Sequence, residues 1–116
     1  MKIYLLALVS IVLGAGGQFL LKLGAGGLKS EGGLVKMIGS MLFSPALLIA
    51  VFCFVSSMFL WILVLRRMDL SVAYPMVSLG YVIVLLLSWL FLQEMVNGPK
   101  MIGTVLIITG VIVINL

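Results

Sequence analysis

The chain has 116 residues, of which 65% are hydrophobic and 9% are charged, and it contains no histidine. Water-soluble domains of this size do not have that composition, and apolar runs of more than about 18 residues recur, so the sequence predicts a polytopic membrane protein. The net charge of +4 lies between these runs and indicates membrane topology, not nucleic-acid binding. A single cysteine and three acidic residues provide few groups for metal binding or acid–base catalysis, so we expect no metal, no cofactor and no enzyme activity.

The first apolar run covers residues 3–23 and predicts a membrane-spanning helix. A signal peptide is the alternative, because Lys2 precedes an apolar core and small residues. Four residues at steps of four share one face of this helix: Ser10, Gly14, Gln18 and Lys22. The small residues permit close approach of a neighbouring helix. Lys22 either anchors the helix end by snorkelling or binds an anionic head group.

Glycine-rich residues 24–33, which include Lys29 and Glu31, predict a flexible loop. Apolar and polar residues then separate onto two faces of residues 34–43, a pattern typical of a short helix lying in the membrane interface. The uncharged run that follows is too long for one untilted span. Ser44 and Pro45 provide a break, as N-cap and first helical residue, so the second span is predicted at residues 45–65.

A charged turn at residues 66–69 leads into a third predicted span at residues 70–93. One helical stripe of this span is polar and consists of Ser71, Tyr74, Ser78, Tyr81 and Ser88. Pro75 lies within the stripe and predicts a kink that frees the carbonyl of Ser71. Because lipid offers no hydrogen-bond partner, the stripe is expected to line a polar pathway between helices. The alternative is that hydroxyls and proline are ordinary features of helix packing in membranes.

Residues 97–100 predict a turn, and residues 99–116 predict a fourth span in the single transmembrane domain 1–116. Gly103 and Gly110 are two turns apart and form a small-residue surface for another helix. Basic residues are divided almost equally between the two sides of the membrane. The orientation therefore remains open, and insertion in both directions, as in an antiparallel homodimer, is permitted.

Four short spans in a chain of this length resemble the small multidrug resistance branch of the drug/metabolite transporter superfamily. The segment 103–115 is very similar to the dimerisation helix of that branch, and this resemblance implies a dimer contact formed by Gly103, Leu106, Ile107 and Gly110. The segment 73–79 looks still more like the small subunits of 4-amino-4-deoxy-arabinose–phosphoundecaprenol flippases. The same holds for Gly17, Gln18 and Lys22 and for the region of Glu94.

Two departures from the multidrug exporters bear on the expected substrate. Gly14 stands where those exporters carry the glutamate that exchanges protons for cations, and Val77 stands in place of a tryptophan. Without a carboxylate at mid-membrane depth, a proton-coupled cation exporter lacks its coupling group. The resemblance therefore favours the flippases over drug export.

The flippase resemblance implies a polyprenyl-phosphate-linked sugar, or a related anionic lipid, whose head group crosses a groove between helices. Lys22 with Gln18 would hold the phosphate, and Tyr74, Ser78 and Tyr81 would bind the sugar. Glu94 would pair with Lys22, contact an amino sugar or cap a helix end in water.

The sequence thus predicts an all-α membrane protein with four transmembrane helices and one interfacial helix, in the inner (cytoplasmic) membrane. We expect it to contact membrane lipids and to form a homodimer or a heterodimer with a similar small subunit. Two alternatives remain open: a small multidrug, cation or metabolite exporter of the same fold, and a non-transporting accessory subunit.

Overall fold

The computed structural model describes residues 2–26 and 32–116, and the regular secondary structure in these ranges consists of six helices. They are α1 (Lys2–Gly26), α2 (Gly33–Phe43), α3 (Pro45–Leu65), α4 (Leu70–Met76), α5 (Leu79–Phe91) and α6 (Gly98–Ile114). Half of the glycine-rich loop predicted at residues 24–33, the part at 27–31 that includes Lys29 and Glu31, lies outside the described residues.

Three helical segments in the described ranges are long and apolar enough to cross a membrane: Lys2–Gly26, Pro45–Leu65 and Leu70–Phe91, which joins α4 and α5. The helices α2 and α6 are shorter apolar helices. Large hydrophobic side chains are exposed along all of these elements. Exposed apolar surface on this scale suits a lipid environment, and the chain is a multi-pass membrane protein.

The tightest packing joins α1 and α3, which run antiparallel. A Cβ placed on Gly24 would lie 2.6 Å from Leu47 Cδ2, near the beginning of α3. A Cβ on Gly17 would lie 3.2 Å from the ring of Phe54, farther along α3. Residue numbers therefore rise along α1 while they fall along the facing part of α3. Because glycine has no side chain, the large residues of α3 reach the α1 backbone at these two positions.

Helix α1 continues to Gly26, three residues beyond the predicted end of the span at residue 23. Gly24 is buried, and its backbone contacts Leu47 where a side chain would clash. Glycine weakens an isolated helix, but here this close packing stabilises the last turn. The sequence pattern of repeated glycine predicted a loop because it does not reveal the tertiary contact.

Helix α5 lies on another side of α1 and runs parallel to it. Gly80 approaches Ile11, where an added Cβ would lie 3.4 Å from Ile11 Cγ2. Farther along both helices, the rings of Phe19 and Phe91 have centroids 5.9 Å apart. The bundle therefore places the ends of α1 and α5 on one side of the molecule.

The hydrophobic core lies toward the opposite end of the bundle. It consists of the buried residues Ala7, Ile11, Val64, Met76 and Val111, which come from α1, α3, α4 and α6. The Tyr4 hydroxyl also donates to Asn115 Oδ1 at 3.2 Å, so the end of α6 lies beside the beginning of α1. The four elements converge at this end.

The third apolar segment is interrupted at Val77 and Ser78, two to three residues after Pro75. The amides of Val77, Ser78, Gly80 and Tyr81 each donate to the carbonyl three residues earlier. Such bonds wind the chain more tightly than an α-helix. The proline therefore precedes a local change of helical winding that separates α4 from α5.

The beginning of α6 is defined by Asn97, whose Oδ1 accepts a hydrogen bond from the Lys100 amide at 3.0 Å. The predicted turn at residues 97–100 is therefore an N-cap followed by the first helical residues, and the helix begins one residue before the predicted boundary.

The other short helix, α2, buries no residue and exposes Leu34, Val35 and Phe43. Its location in the membrane interface remains a prediction.

Candidate functional site

A pocket of about 610 Å³ lies between α1, α3 and α5. Its α1 wall is made of Ser10, Ile11, Gly14, Ala15 and Gln18, and its other walls are formed by Phe54, Ser57, Met58, Trp61, Val77, Gly80, Tyr81 and Val84. Most of these side chains are apolar, and none of them is charged. Its volume falls within the range of about 300–1,000 Å³ typical of small-molecule sites.

The polar groups of the pocket fall into two classes. Ser10 Oγ donates to the Ser57 carbonyl and Ser57 Oγ donates to the Ser10 carbonyl, both at 2.8 Å. Ser10 is 2% exposed, so this reciprocal pair belongs to the seam between α1 and α3. The amide of Gln18 and the phenol of Tyr81 are instead on exposed residues of α1 and α5. These two side chains are the ones suited to contact a polar ligand at the rim.

A second, smaller pocket of about 230 Å³ adjoins the first, and Tyr81 and Val84 line both. Its remaining wall is formed by Leu85, Ser88, Trp89, Glu94, Met95, Val96 and Lys100. It contains one carboxylate and one ammonium group, in contrast to the uncharged larger pocket. We refer to the larger as the apolar pocket and to the smaller as the charged pocket.

The end of α5 shapes the charged pocket. Gln93 has a φ of 55°, in the left-handed region that non-glycine residues rarely adopt. The chain reverses there, and the Glu94 amide donates to the Ser88 carbonyl at 3.1 Å. Across the following segment, Lys100 Nζ donates to the Met95 carbonyl at 2.9 Å. The turn thus holds Glu94 close to the end of α5, while a hydrogen bond orients the Lys100 stem.

The structure brings together some of the residues predicted to bind substrate and separates others. Gln18 and Tyr81 line the apolar pocket, and Tyr81 and Glu94 line the charged pocket. Lys22 is exposed and lines neither. Tyr74 is 72% exposed and also lies outside both pockets. Among the described residues, Lys22 and Tyr74 therefore do not join Gln18, Tyr81 and Glu94 in these pockets, and their role in substrate binding remains a prediction.

Ser78 lines neither pocket, and its Oγ donates to the carbonyl of Pro75 in the turn between α4 and α5. The bonds between residues three apart wind this stretch by about 20° more per residue than an α-helix. Tyr74 and Tyr81, two turns apart in a regular helix, consequently do not share one face. The polar stripe predicted from regular spacing is split at Ser78.

The predicted dimer contact, formed by Gly103, Leu106, Ile107 and Gly110, lies on α6. A Cβ added at Gly103 or at Gly110 meets no atom within 4 Å, and Leu106 is 66% exposed. The described part of the chain therefore leaves this face uncovered. Its role in dimerisation remains a prediction.

The sequence did not single out the large residues of α3 that enclose the apolar pocket, Phe54, Met58 and Trp61. Their spacing of three to four residues was the available signal, but it is also the spacing of ordinary core or lipid-facing residues. Lys100 was considered only as a topology signal. Its proximity to Glu94 depends on the reversal at Gln93, which no local pattern announces.

The described residues contain no group of three or more histidine, cysteine or acidic side chains arranged to hold a metal ion. The polar chemistry of the two pockets therefore consists of hydroxyl, amide, carboxylate and ammonium groups. Such groups bind and orient a ligand by hydrogen bonds and charge.

Comparison with known proteins finds relatives that carry the same name. The chain is 42% identical over 74 residues to a probable 4-amino-4-deoxy-L-arabinose-phosphoundecaprenol flippase subunit, ArnE, of Aeromonas salmonicida, covering 64% of this chain and 65% of the relative. The corresponding protein of Pseudomonas fluorescens is 43% identical over 68 residues, which are 59% of this chain and 60% of the relative. These alignments span less than two thirds of the relatives' length. No solved structure matches the chain.

The resemblance to flippase subunits found in the sequence is confirmed by these relatives. A family model described as the EamA-like transporter family matches residues 1–116. The match includes every helix that lines the two pockets. This chain therefore belongs to the EamA-like transporter family.

Proposed function

We propose that this protein is a transporter that moves a polyprenyl-phosphate-linked sugar of the aminoarabinose type, or a related anionic lipid, across the cytoplasmic membrane. The observation that carries the proposal is a pocket between membrane helices that joins an apolar wall to the polar side chains of Gln18 and Tyr81. Family membership supports transport, and the names of the relatives support this substrate class. An amphipathic lipid matches a site with this division of surface.

In the proposed mechanism Gln18, Tyr81 and Glu94 contact the head group. Amide and phenol groups donate and accept hydrogen bonds, as a sugar requires, and the Glu94 carboxylate attracts an amine. Lys22 anchors the end of α1, since it is exposed and lies outside both pockets. Tyr74 and Ser78 are assigned no contact with the ligand in this conformation.

We further propose that α6 is a fourth span and that the protein works as a dimer. The 17 residues of α6 extend about 26 Å, close to the thickness of the hydrocarbon layer. Its end lies beside the beginning of α1 through Tyr4 and Asn115, which supports a membrane-crossing direction opposite to α1. The uncovered face at Gly103 and Gly110 is suited to a second copy or a similar small subunit.

Ligand-dependent thermal unfolding of purified protein tests the substrate class. Undecaprenyl phosphate is expected to raise the unfolding midpoint, whereas the cationic dye ethidium leaves it unchanged, because the apolar pocket has no carboxylate. Replacement of Gln18 by alanine is expected to reduce the lipid effect, and the matched Lys22→Ala variant to retain it. Stabilisation by ethidium alone would favour the exporter of the same fold.

Translocation is tested in reconstituted vesicles that contain a polyprenyl-phosphate-linked amino sugar in one leaflet. Chemical labelling of the sugar amine from outside then reports the rate of transfer. The protein is expected to accelerate labelling, either alone or with a second small subunit. A protein that binds no lipid and gains stability only from a co-expressed partner would be an accessory subunit, and the transport proposal would be wrong.

The dimer is tested separately on α6. Gly110→Leu is expected to weaken self-association about tenfold, or about 1.4 kcal/mol, because the added side chain separates the two helices. Val105→Leu is the matched control, since Val105 is also exposed on α6 but lies on another face. Cross-linking yield against dilution in detergent measures the difference in self-association. Equal yields for both variants would show that this face of α6 does not form the dimer interface.

A further inference from the structure

We infer that the ligand site is divided in two: the apolar pocket takes the hydrocarbon chain of an isoprenyl phosphate, and the charged pocket takes its phosphate through Lys100. This inference deepens the proposed function and rests on it for the class of ligand. It differs from the sequence-based expectation, which placed the phosphate at Lys22 and Gln18.

The apolar pocket is lined by uncharged side chains. None of the described residues that line it is basic. A phosphate transferred there from water would lose its hydration and gain only the neutral donors of Gln18 and Tyr81. Hydrocarbon, in contrast, gains contact with Phe54, Met58 and Trp61 and loses nothing polar. The apolar pocket therefore favours the chain over the phosphate, and Gln18 and Tyr81 at its rim remain available to the sugar.

Lys100 is placed where it can bind a phosphate. Lys100 lines the charged pocket and is exposed, so its ammonium keeps access to water and costs little to hold there. One of its three donors engages the Met95 carbonyl at 2.9 Å, which leaves two donors for phosphate oxygens. Lys22 is equally exposed but lines neither pocket. Among the described residues, Lys100 is thus the cation that a ligand in these pockets meets.

The apolar pocket and the charged pocket share part of one wall. Tyr81 and Val84 line both pockets, so one molecule can fill the apolar pocket and present its polar end to Lys100. Glu94 in the charged pocket then repels a bare phosphate and attracts an amine carried beyond it. The pair of opposite charges complements a head group that contains both a phosphate and an amine, which is why we assign these two groups to the charged pocket.

The experiment uses farnesyl phosphate and its uncharged counterpart farnesol, titrated into the purified full-length protein in detergent. Lys100→Gln is expected to weaken farnesyl phosphate binding by up to about fivefold, the upper limit for an exposed charge contact, and to leave farnesol binding unchanged. Glu94→Gln is expected to tighten farnesyl phosphate binding about twofold, because a repulsive charge is removed. Lys22→Gln is the matched control and is expected to change neither.

The two tryptophans of the chain report the pockets separately, because Trp61 lines the apolar pocket and Trp89 the charged pocket. With Trp89→Phe, the emission of Trp61 is expected to respond to both compounds. With Trp61→Phe, the emission of Trp89 is expected to respond to farnesyl phosphate only. A Trp89 signal that is silent to farnesyl phosphate, or a Lys100→Gln affinity equal to that of Lys22→Gln, would overturn the assignment.

The outcomes separate this inference from the proposed function. Vesicles that translocate the lipid-linked sugar equally well with Lys100→Gln and unmodified protein, together with unchanged affinity, refute the divided site alone. Opposite affinity changes in Lys100→Gln and Glu94→Gln support the divided site even where vesicles show no translocation with or without a second small subunit, and in that case the transport proposal is wrong. Circular dichroism of each variant verifies that its helices are intact.

Discussion

Helix α1 meets its two neighbours in different ways. Against α3 it presents Ser10, Gly17 and Gly24, and the partner fills each position with a hydroxyl, a ring or a leucine. Against α5 it touches closely at Ile11 and Gly80, and a pocket of about 610 Å³ opens beside that contact. Small residues of α1 therefore produce a seam where α3 side chains reach the α1 backbone, and a pocket remains between α1, α3 and α5 beside the contact with α5.

The largest expected effect lies on the α3 side. Gly17→Leu is expected to lower the free energy of unfolding by about 1–3 kcal/mol, because the side chain overpacks against the Phe54 ring. Gly16→Leu is the matched control, since a Cβ at Gly16 meets no atom within 4 Å. Thermal unfolding in detergent measures both. Equal losses for the two variants would mean that α1 and α3 do not pack as closely as described.

A smaller effect is expected at the reciprocal serine pair. Removing the Ser57 hydroxyl by Ser57→Ala is expected to cost about 0.6 kcal/mol, the average for a hydrogen bond between membrane helices. Ser56→Ala, one residue earlier, is the control. Combining Ser57→Ala with Ser10→Ala in a double-mutant cycle measures the coupling between the hydroxyls. Strict additivity would show that the two serines contribute independently and would weaken the description of a seam.

The smallest effect on stability is expected on the α5 side. Val84→Phe directs a larger side chain toward the two pockets that Val84 lines. Because unoccupied space is available there, the free energy of unfolding is expected to change by less than about 1 kcal/mol, below the usual cost of overpacking. Farnesol binding is expected to fall in the same variant. A destabilisation as large as that of Gly17→Leu would show that this side of α1 is packed and not open.

Local sequence patterns predicted those features that depend on a single helix, such as where the helix begins, ends or changes its winding. The helix α3 begins at Pro45 and ends at Leu65, between a proline suited to a first turn and a pair of arginines. Pro75 lies just before the change of winding that separates α4 from α5. The flippase resemblance also depended on residues in linear order, and the relatives confirm it. These features need no information about which helices are neighbours.

Spacing alone was less informative about the site. The stripe from Tyr74 to Tyr81 assumed uniform helical winding, and the tighter turns around Ser78 divide it. Lys22 follows Gln18 by one helical turn, yet only Gln18 reaches a pocket. A shared face does not establish a shared depth or a shared neighbour, because the partner helix covers only part of that face.

The order of residues is enough to establish that this chain enters a membrane, that its regular structure is helical, and that it belongs with transporters, since hydropathy and motifs act locally. Folding in three dimensions packed α3 against α1 and left an open pocket between α1, α3 and α5, and it brought Lys100 and Glu94 into one pocket after the reversal at Gln93. The physical reason is that packing and cavities depend on how side chains from distant segments fill common space. That complementarity arises only when the helices meet.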